Sequence, residues 1–284
     1  MSFFKKRKKN KPMPNDPSFD LLFSNLEKNN NIDNDIFLEN IVSLDYEKQD
    51  IIYRKILNLE ITKKISQQIC DDSIIKHGNF KDVKILNSSP SYILGSYETE
   101  ISTKIKDIIN NKYSVIIDVG CSSGYYTTGF AVKSPESEVW GFDINQDLIN
   151  SAKENARINN IKINFGEFCN EETLLNFNFK SKALIMSDCE GYEKILFTER
   201  LAQKLKDHDL LIELHDFIDK SISNNIILKF NKTHYVELLT SITDIKKTII
   251  YDYPELFNIP LFIKWTLLSE RRPEAMQWVF IKSK

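Results

Sequence analysis

Short apolar segments alternate with amphipathic segments through the second half of the chain. The apolar residues that lead to Asp118 predict a buried strand, and the run after Ser122 predicts a helix. The same alternation continues to the end, so the sequence predicts an α/β fold with a doubly wound, mostly parallel sheet. Seven strands are expected, five core strands at 114–119, 138–143, 161–168, 182–188 and 210–216, and an edge pair at 236–240 and 276–281.

The pattern divides the chain into three parts. Residues 1–18 are rich in lysine and proline and predict a disordered basic tail. Residues 19–110 carry apolar side chains at helical spacing and predict a mainly helical N-terminal region, with one short strand at 83–86. Residues 111–284 are the predicted α/β core, with an insertion at 241–274 that could form a wall of an acceptor pocket.

Composition indicates an ordinary globular protein. The 284 residues have 42% hydrophobic and 27% charged content and a net charge of −2, so no global field attracts nucleic acid or membrane. Lys5–Lys11 is the basic exception, and we expect a solvated segment with at most weak contact to an anionic surface or RNA. No run reaches the length of a membrane span, and the four cysteines lack zinc spacing, so reduced thiols and a cytoplasmic location are expected.

A glycine-containing loop follows the first core strand and predicts a ligand site there. A dinucleotide loop needs G-x-G-x-x-G, but Ser122 and Tyr125 stand at the second and third glycine positions after Gly120. A P-loop needs a lysine that is missing. Asp118, just before the loop, would repel a pyrophosphate and would suit the ammonium and sulfonium of S-adenosylmethionine. The loop therefore favours that cofactor, and a dehydrogenase is disfavoured.

Other polar residues lie where a nucleoside would need them. Asp143 ends the second strand and could accept hydrogen bonds from both ribose hydroxyls. Glu167 and Phe168 end the third strand and could face adenine, and Glu98 is expected close to the cofactor or, equally, as a favourable helix N-terminal carboxylate. The predicted cofactor-binding residues are Asp118, Gly120, Ser122, Gly124, Asp143, Glu167, Phe168 and Glu98.

The densest polar group spans Ser187–Glu193, with Glu213, His215 and Asp216 on the next strand. Parallel strands end at one edge of a sheet, so we predict His215 as general base with Asp188 and Glu190 beside it. Two alternatives stay open: Ser187 and Glu190 also fit a capping box, and the cluster could hold a hard cation, although no metal is predicted. An oxygen acceptor is favoured because Asn-Pro-Pro-Tyr and Pro-Cys are both missing.

Four motifs together resemble the FkbM-type class I methyltransferases: Leu94–Glu98, Ile117–Thr127, Ser187–Glu193 and Ile212–His215. The resemblance implies a seven-stranded Rossmann-like methyltransferase sheet and S-adenosylmethionine-dependent O-methylation, commonly of sugar hydroxyls in glycans. By match, Asp118, Gly120 and Gly124 would line the methionine end, Asp143 would hold the ribose, and Asp188, Glu190 and Glu193 would border the acceptor.

The expected partner is therefore a carbohydrate or small-molecule hydroxyl acceptor, with no specific nucleic acid. Two alternatives remain at this stage. One is an RNA or small-metabolite methyltransferase, for which the basic tail is the only support. The other is a non-catalytic module that binds S-adenosylmethionine and serves in assembly, against which the acidic residues at the strand ends argue.

Overall fold

The computed structural model describes residues 16–284 and contains one seven-stranded sheet in the order β3-β2-β1-β4-β5-β7-β6. The first five strands run parallel, and β7 pairs antiparallel with both β5 and β6. This confirms the predicted fold and the pairing of the last two strands, of which β6 forms the edge and β7 lies between β5 and β6. The strands are β1 Val115–Val119, β2 Glu138–Phe142, β3 Asn164–Gly166, β4 Ala183–Ser187, β5 Asp209–Leu214, β6 His234–Thr240 and β7 Gln277–Ser283.

Fourteen α-helices are present in residues 16–284. Before the sheet come α1 Pro17–Asn29, α2 Asn34–Ile41, α3 Tyr46–Leu57, α4 Glu60–Cys70, α5 Pro90–Ile93 and α6 Ser102–Asn110. Between the parallel strands and after β5 lie α7 Tyr125–Lys133, α8 Gln146–Ile158, α9 Glu171–Leu175, α10 Glu193–Leu196, α11 Glu199–Lys204 and α12 Ile222–Phe230. Between β6 and β7 lie α13 Asp244–Ile250 and α14 Leu261–Leu268, and short 3₁₀ turns cover Thr99–Ile101 and Pro254–Leu256.

The central strands are apolar throughout because both faces of the sheet are covered. Successive side chains of a strand point to opposite faces, so Ile117 of β1 enters one hydrophobic cluster and Ile116 enters the other. β4 alternates in the same way, with Ile185 in the first cluster and Met186 in the second. The sheet therefore has a core on each side and a polar site only at its carboxyl edge.

A third hydrophobic cluster joins the N-terminal helices to the segment between β6 and β7. Phe37 of α2 lies 5.6 Å, centroid to centroid, from Trp265 of α14, and Ile52 of α3 belongs to the same cluster. Residues 241–274 are therefore not an open loop, because α13 and α14 complete a helical layer begun by α1 to α4. None of these segment residues lines the cofactor-sized cavity described below.

Several local predictions need correction. Residues 83–86 do not form a strand and make only an isolated bridge between Ile74 and Lys84. Their backbone N–H groups are bound by side chains instead: the N–H of Lys84 donates to the Asn159 side chain just after α8, and the N–H of Leu86 donates to the Asn155 side chain in α8. The predicted strand at 161–168 is reduced to β3. One predicted helix at 191–205 is two, because the Thr198 side chain accepts from Leu201 N–H and starts α11 anew.

The N-terminal boundary also differs slightly from the prediction. The side chain of Asp16 accepts hydrogen bonds from the N–H groups of Ser18 and Phe19, and Pro17 occupies the first turn, so α1 begins at Pro17 instead of after residue 18. The predicted basic segment Lys5–Lys11 lies outside the described residues. Within residues 16–284, no helix combines the length and apolarity that crossing a membrane requires.

Candidate active site

The loop after β1 is shaped by its backbone. Gly120 has φ +84° and Gly124 has φ +89°, conformations that favour glycine. A Cβ on Gly120 would lie 1.8 Å from the carbonyl oxygen of Asp188, and one on Gly124 would lie 2.9 Å from the Cβ of Ala152. The two glycines therefore allow the loop to pack against the end of β4 and against α8.

A cavity of about 490 Å³ opens beside this loop at the carboxyl ends of the parallel strands. It lies where the strand order turns from β1 to β4, the expected ligand position in an open α/β sheet. Its walls combine apolar side chains with a set of carboxylates. The lining residues are Tyr92, Tyr97, Val119, Gly120, Ser122, Phe142, Asp143, Ile144, Leu148, Glu167, Phe168, Cys169, Asp188, Cys189, Glu190 and Tyr192.

Five predicted cofactor residues line the cavity: Gly120, Ser122, Asp143, Glu167 and Phe168. Asp143 is fixed from both sides, since it accepts hydrogen bonds from the N–H of Ser122 at 2.9 Å and the N–H of Asn145 at 2.8 Å. Each carboxylate oxygen retains a further lone pair that could accept a hydroxyl hydrogen bond. The Phe168 side chain is about half exposed, so an apolar surface faces the cavity.

The other three predicted cofactor residues, Asp118, Gly124 and Glu98, are not among the residues that line this cavity. Asp118 is buried beneath α7, where it accepts a hydrogen bond from the Thr127 hydroxyl at 2.5 Å. Burial raises the pKa of Asp118 to about 7, against the lowering effect of the Thr127 hydrogen bond. Gly124 caps α7 and packs against α8.

Glu98 is also buried away from the cavity. Its carboxylate accepts a hydrogen bond from the Tyr126 hydroxyl at 2.6 Å and lies 3.2 Å from the guanidinium of Arg272. Burial raises the pKa of Glu98 to about 7 against the lowering effect of Arg272. Glu98 occupies the N-cap position of the turn Thr99–Ile101, as in the helix N-terminal alternative, but its side chain makes no capping hydrogen bond there.

Asp188, Glu190 and His215, the predicted catalytic group, come together at the ends of β4 and β5. Nε2 of His215 lies 3.4 Å from Asp188 Oδ1 and 3.7 Å from Glu190 Oε2. Two carboxylates noted beside them in the sequence also join: Glu213 Oε2 is 3.5 Å from Nε2, and Glu193 Oε1 is 2.8 Å from Nδ1. Four carboxylates therefore surround one imidazole.

Glu190 is not a helix cap. The helix that follows, α10, begins at Glu193, and Ser187 Oγ lies 3.3 Å from Cys189 Sγ instead of capping a helix. Glu190 has φ +53°, unusual for a residue with a side chain, and this turn directs its largely exposed carboxylate into the cavity wall. The capping-box alternative is therefore ruled out by the geometry.

His215 does not fit the predicted role of general base. The ring is 1% exposed and lies behind Asp188 and Glu190, outside the cavity lining. Burial would lower the pKa of His215, but the carboxylates of Asp188 and Glu193 outweigh burial and raise it to about 10. The ring does not face the cavity, as a general base would need to.

Asp216 does not join this group, because its carboxylate accepts hydrogen bonds from the Ser223 N–H and hydroxyl. Two tyrosines at the site were not predicted from the sequence. Tyr92 and Tyr192 line the cavity, and the largely buried guanidinium of Arg272 lies 3.6 Å from Glu213 Oε1. Tyr192 stands inside the acidic motif, which could have identified it, whereas Tyr92 has no motif of its own. All four cysteines are unpaired.

A protein-family model described as a methyltransferase domain matches residues 110–255, just over half of the chain. The chain belongs to this methyltransferase family. The matched residues begin at the end of α6 and contain β1 to β6, the glycine loop, the acidic cluster and all residues of the cavity wall except Tyr92 and Tyr97. Together with the sheet order, the match makes the chain a class I methyltransferase, whose methyl donor is S-adenosylmethionine.

Solved structures of methyltransferases are similar at low sequence identity. Coclaurine N-methyltransferase bound to N-methylheliamine and SAH is 13% identical, with 94% of this chain and 100% of that chain covered and a TM-score of 0.42. Precorrin-6Y C5,15-methyltransferase from Geobacter metallireducens is 7% identical, with 64% and 88% covered and a TM-score of 0.41.

The tRNA (uracil-54, C5)-methyltransferase from Pyrococcus abyssi, in complex with S-adenosyl-L-homocysteine, is 14% identical and has a TM-score of 0.38. The comparison covers 66% of this chain and 37% of that chain, so this methyltransferase spans well under half the length of that protein. A search of curated protein sequences found no match.

Proposed function

We propose that this methyltransferase transfers the methyl group of S-adenosylmethionine to a hydroxyl oxygen, with a sugar hydroxyl of a glycan or glycoconjugate as the acceptor. The observation that carries the proposal is the exposed carboxylate of Glu190 at the cavity wall, in front of Asp188 and His215. The resemblance of the Ser187–Glu193 motif to FkbM-type enzymes supports the same class of acceptor.

The cavity suits S-adenosylmethionine in three respects. Asp143 offers free lone pairs to the ribose hydroxyls, and the exposed apolar side chains of Ile144 and Phe168 offer surfaces for adenine. The carboxylate of Asp188 lies at the end of the cavity near Gly120, where a sulfonium and an ammonium would be attracted. We therefore assign adenosine to the side of β2 and β3 and the methionine end to the loop between β1 and β4.

Methyl transfer to a hydroxyl needs a proton acceptor. The acceptor oxygen attacks the methyl carbon in line with the departing sulfur: an O–C bond forms, the S–C bond breaks, and the hydroxyl proton must leave. Glu167 and Glu190 are exposed carboxylates that line the cavity, and Glu190 is the one beside Asp188 and His215, so we assign the proton to it. Asp188 lines the cavity beside Glu190 and can accept a substrate hydroxyl hydrogen bond, and His215 lies behind both carboxylates.

The first experiment is calorimetric titration with S-adenosylmethionine, S-adenosylhomocysteine and NADH. Binding of the first two and not of NADH is expected, and Asp143→Ala should weaken both by about tenfold or more, since a charge-assisted hydrogen bond contributes roughly 1.5–3 kcal/mol. Asp147→Ala, an exposed acidic residue of α8, is the control. Binding of NADH alone would overturn the assignment of the cofactor.

The second experiment tests the acceptor class. Methyl transfer from labelled S-adenosylmethionine is measured on matched panels of sugars, amines and nucleic acid. Glu190→Gln should lower kcat on a sugar by roughly 10²–10⁴ while cofactor affinity stays within a few fold. Asp219→Asn, a charge change on the surface after β5, should leave both unchanged. Transfer to amines or RNA but not to sugars would contradict the proposal.

A further inference from the structure

Three potential ligand atoms converge at the acceptor side of the cavity. One atom each from Asp188, Glu213 and His215 can be chosen so that all three lie within 4.8 Å of one another. Nε2 of His215 is 3.4 Å from Asp188 Oδ1 and 3.5 Å from Glu213 Oε2. Two ligand atoms bound tetrahedrally to one ion at about 2.1 Å would lie roughly 3.4 Å apart, so these separations already match a shared ion.

One of the three ligand atoms, and the second ring nitrogen of His215, lack the hydrogen bonds that buried polar groups normally make. The distances from Nε2 to the carboxylates exceed an ordinary N–H···O bond, and Nδ1 of His215 and Oδ1 of Asp188 have no aligned partner among residues 16–284. His215 is 1% exposed and Glu213 4% exposed, so both side chains are removed from bulk water. A buried polar group without a partner costs roughly 1–3 kcal/mol and calls for a ligand or ion.

The surrounding residues orient the group. Oε1 of the fully buried Glu193 lies 2.8 Å from Nδ1 of His215, a carboxylate–histidine arrangement that leaves Nε2 facing Asp188 and Glu213. The two oxygens of Glu213 are divided in the same way, since Oε1 lies 3.6 Å from Arg272 while Oε2 faces His215. The carboxylate of Glu193 thus lies on the side of the imidazole away from the ligand atoms, and Arg272 lies on the corresponding side of the Glu213 carboxylate.

We propose that Asp188, Glu213 and His215 bind a divalent transition-metal ion, with a coordination position open toward the cavity. Two carboxylates and one imidazole suit Mn²⁺ or Zn²⁺ better than Mg²⁺, which prefers oxygen ligands alone. The role of the ion rests on the proposed function: it would bind the acceptor hydroxyl through the open position and make its oxygen a better nucleophile. The proton would still leave to Glu190.

Direct binding of Mn²⁺ tests the site without any activity measurement. The protein is treated with EDTA and desalted, and the loss of the free Mn²⁺ signal in electron paramagnetic resonance is followed, with Zn²⁺ and Mg²⁺ as competitors. We expect one Mn²⁺ per chain, displaced by Zn²⁺ more readily than by Mg²⁺. Glu213→Gln and His215→Asn should each weaken Mn²⁺ binding by roughly tenfold or more, and Asp219→Asn should not.

Glu213→Gln and His215→Asn change buried residues and could fail to fold. Asp188→Asn changes a partly exposed ligand, so it tests the same metal site without that risk. Equal Mn²⁺ affinity in wild type and in folded ligand variants, or no binding of Mn²⁺ or Zn²⁺ by wild type, would overturn the metal site. Titration of the EDTA-treated protein with S-adenosylhomocysteine separates the two proposals. Cofactor binding and sugar methylation without metal would remove only the metal site, whereas Mn²⁺ binding without cofactor binding would remove only the proposed function.

Discussion

Gly120 and Asp188 are in backbone contact: a Cβ on Gly120 would overlap the Asp188 carbonyl oxygen at 1.8 Å. The loop that follows β1 therefore rests directly on the first residue after β4. Gly120 borders the proposed methionine end of the cofactor, and Asp188 belongs to the acidic cluster. The glycine thus links the cofactor side and the acceptor side of the cavity through one rigid contact.

Gly120→Ala should disturb both sides at once. The new methyl group would strain a residue with φ +84° and displace the Asp188 backbone, which cannot move aside as a flexible side chain could. We expect a loss of more than about 1 kcal/mol in the free energy of unfolding and a tenfold or greater loss of S-adenosylhomocysteine affinity. Denaturant unfolding and calorimetry measure the two effects.

The matched control for Gly120→Ala is Ser122→Gly in the same loop. Ser122 has φ +49°, which glycine adopts readily, and its backbone N–H to Asp143 is retained. This variant should keep the stability and the affinity of wild type. If Gly120→Ala kept the stability and affinity of wild type, as expected for Ser122→Gly, the loop would have adjusted to the overlap with Asp188, contrary to this prediction.

Arg272 holds together a set of buried carboxylates that come from distant parts of the chain. Its guanidinium lies 3.2 Å from Glu98, 2.5 Å from Glu100, 3.0 Å from Glu270 and 3.6 Å from Glu213. Arg272→Met leaves these carboxylates without their shared cation, so we expect a loss of about 3–5 kcal/mol in the free energy of unfolding. Arg272→Lys should recover part of it, since lysine keeps the charge but loses the planar fork.

Denaturant unfolding at pH 7 compares these two variants with wild type. Arg200→Met, an exposed arginine of α11 paired with Glu172, is the control and should change the stability by less than about 1 kcal/mol. If Arg272→Met lowered the free energy of unfolding as little as Arg200→Met does, the buried carboxylates would be neutralised by protons and would not need the arginine.

The fold was largely predictable because its strands are covered on both faces and so appear as apolar runs. Short elements were not predictable from local sequence. The backbone N–H groups of Lys84 and Leu86 bind the side chains of Asn159 and Asn155 instead of a neighbouring strand, and these residues lie about 70 positions away. The helical layer formed by α1 to α4 with α13 and α14 depends on contacts more than 200 residues apart, such as that between Phe37 and Trp265.

The site was predictable in part, for a reason that depends on strand geometry. Asp143 follows the last residue of β2, so its side chain can face the crevice. Asp118 lies inside β1, on the same face as Ile116, and alternation turns it beneath α7 instead of toward the ligand. The spacing of residues along the sequence predicts which of them lie near the end of a strand. A shift of one residue along the strand, however, turns the side chain to the opposite face of the sheet.

Phe37 and Trp265 allow a direct test of the helical layer. Each alanine variant removes a large buried aromatic side chain and should cost roughly 3–5 kcal/mol. The rings meet edge to face, so the double variant should cost about 0.5–1.5 kcal/mol less than the sum of the single variants. A cycle between Phe37 and Phe130, which belongs to a different cluster, is the control and should be additive. Additivity for Phe37 and Trp265 would contradict their packing.

Asp118 should give the protein a measurable pH dependence. Burial raises its pKa in the folded state to about 7 from the ordinary aspartate value of 3.8, so between these values the native state holds a proton that the unfolded chain releases. The contribution of Asp118 to stability therefore falls as pH rises from about 4 to 7 and is constant above.

Asp118→Asn cannot ionise and keeps an oxygen for the Thr127 hydroxyl. Between pH 5 and pH 8 its free energy of unfolding should improve relative to wild type by roughly 2–3 kcal/mol. Denaturant unfolding at both values measures this difference, and an unchanged difference would mean that Asp118 is ionised in the folded protein at pH 5.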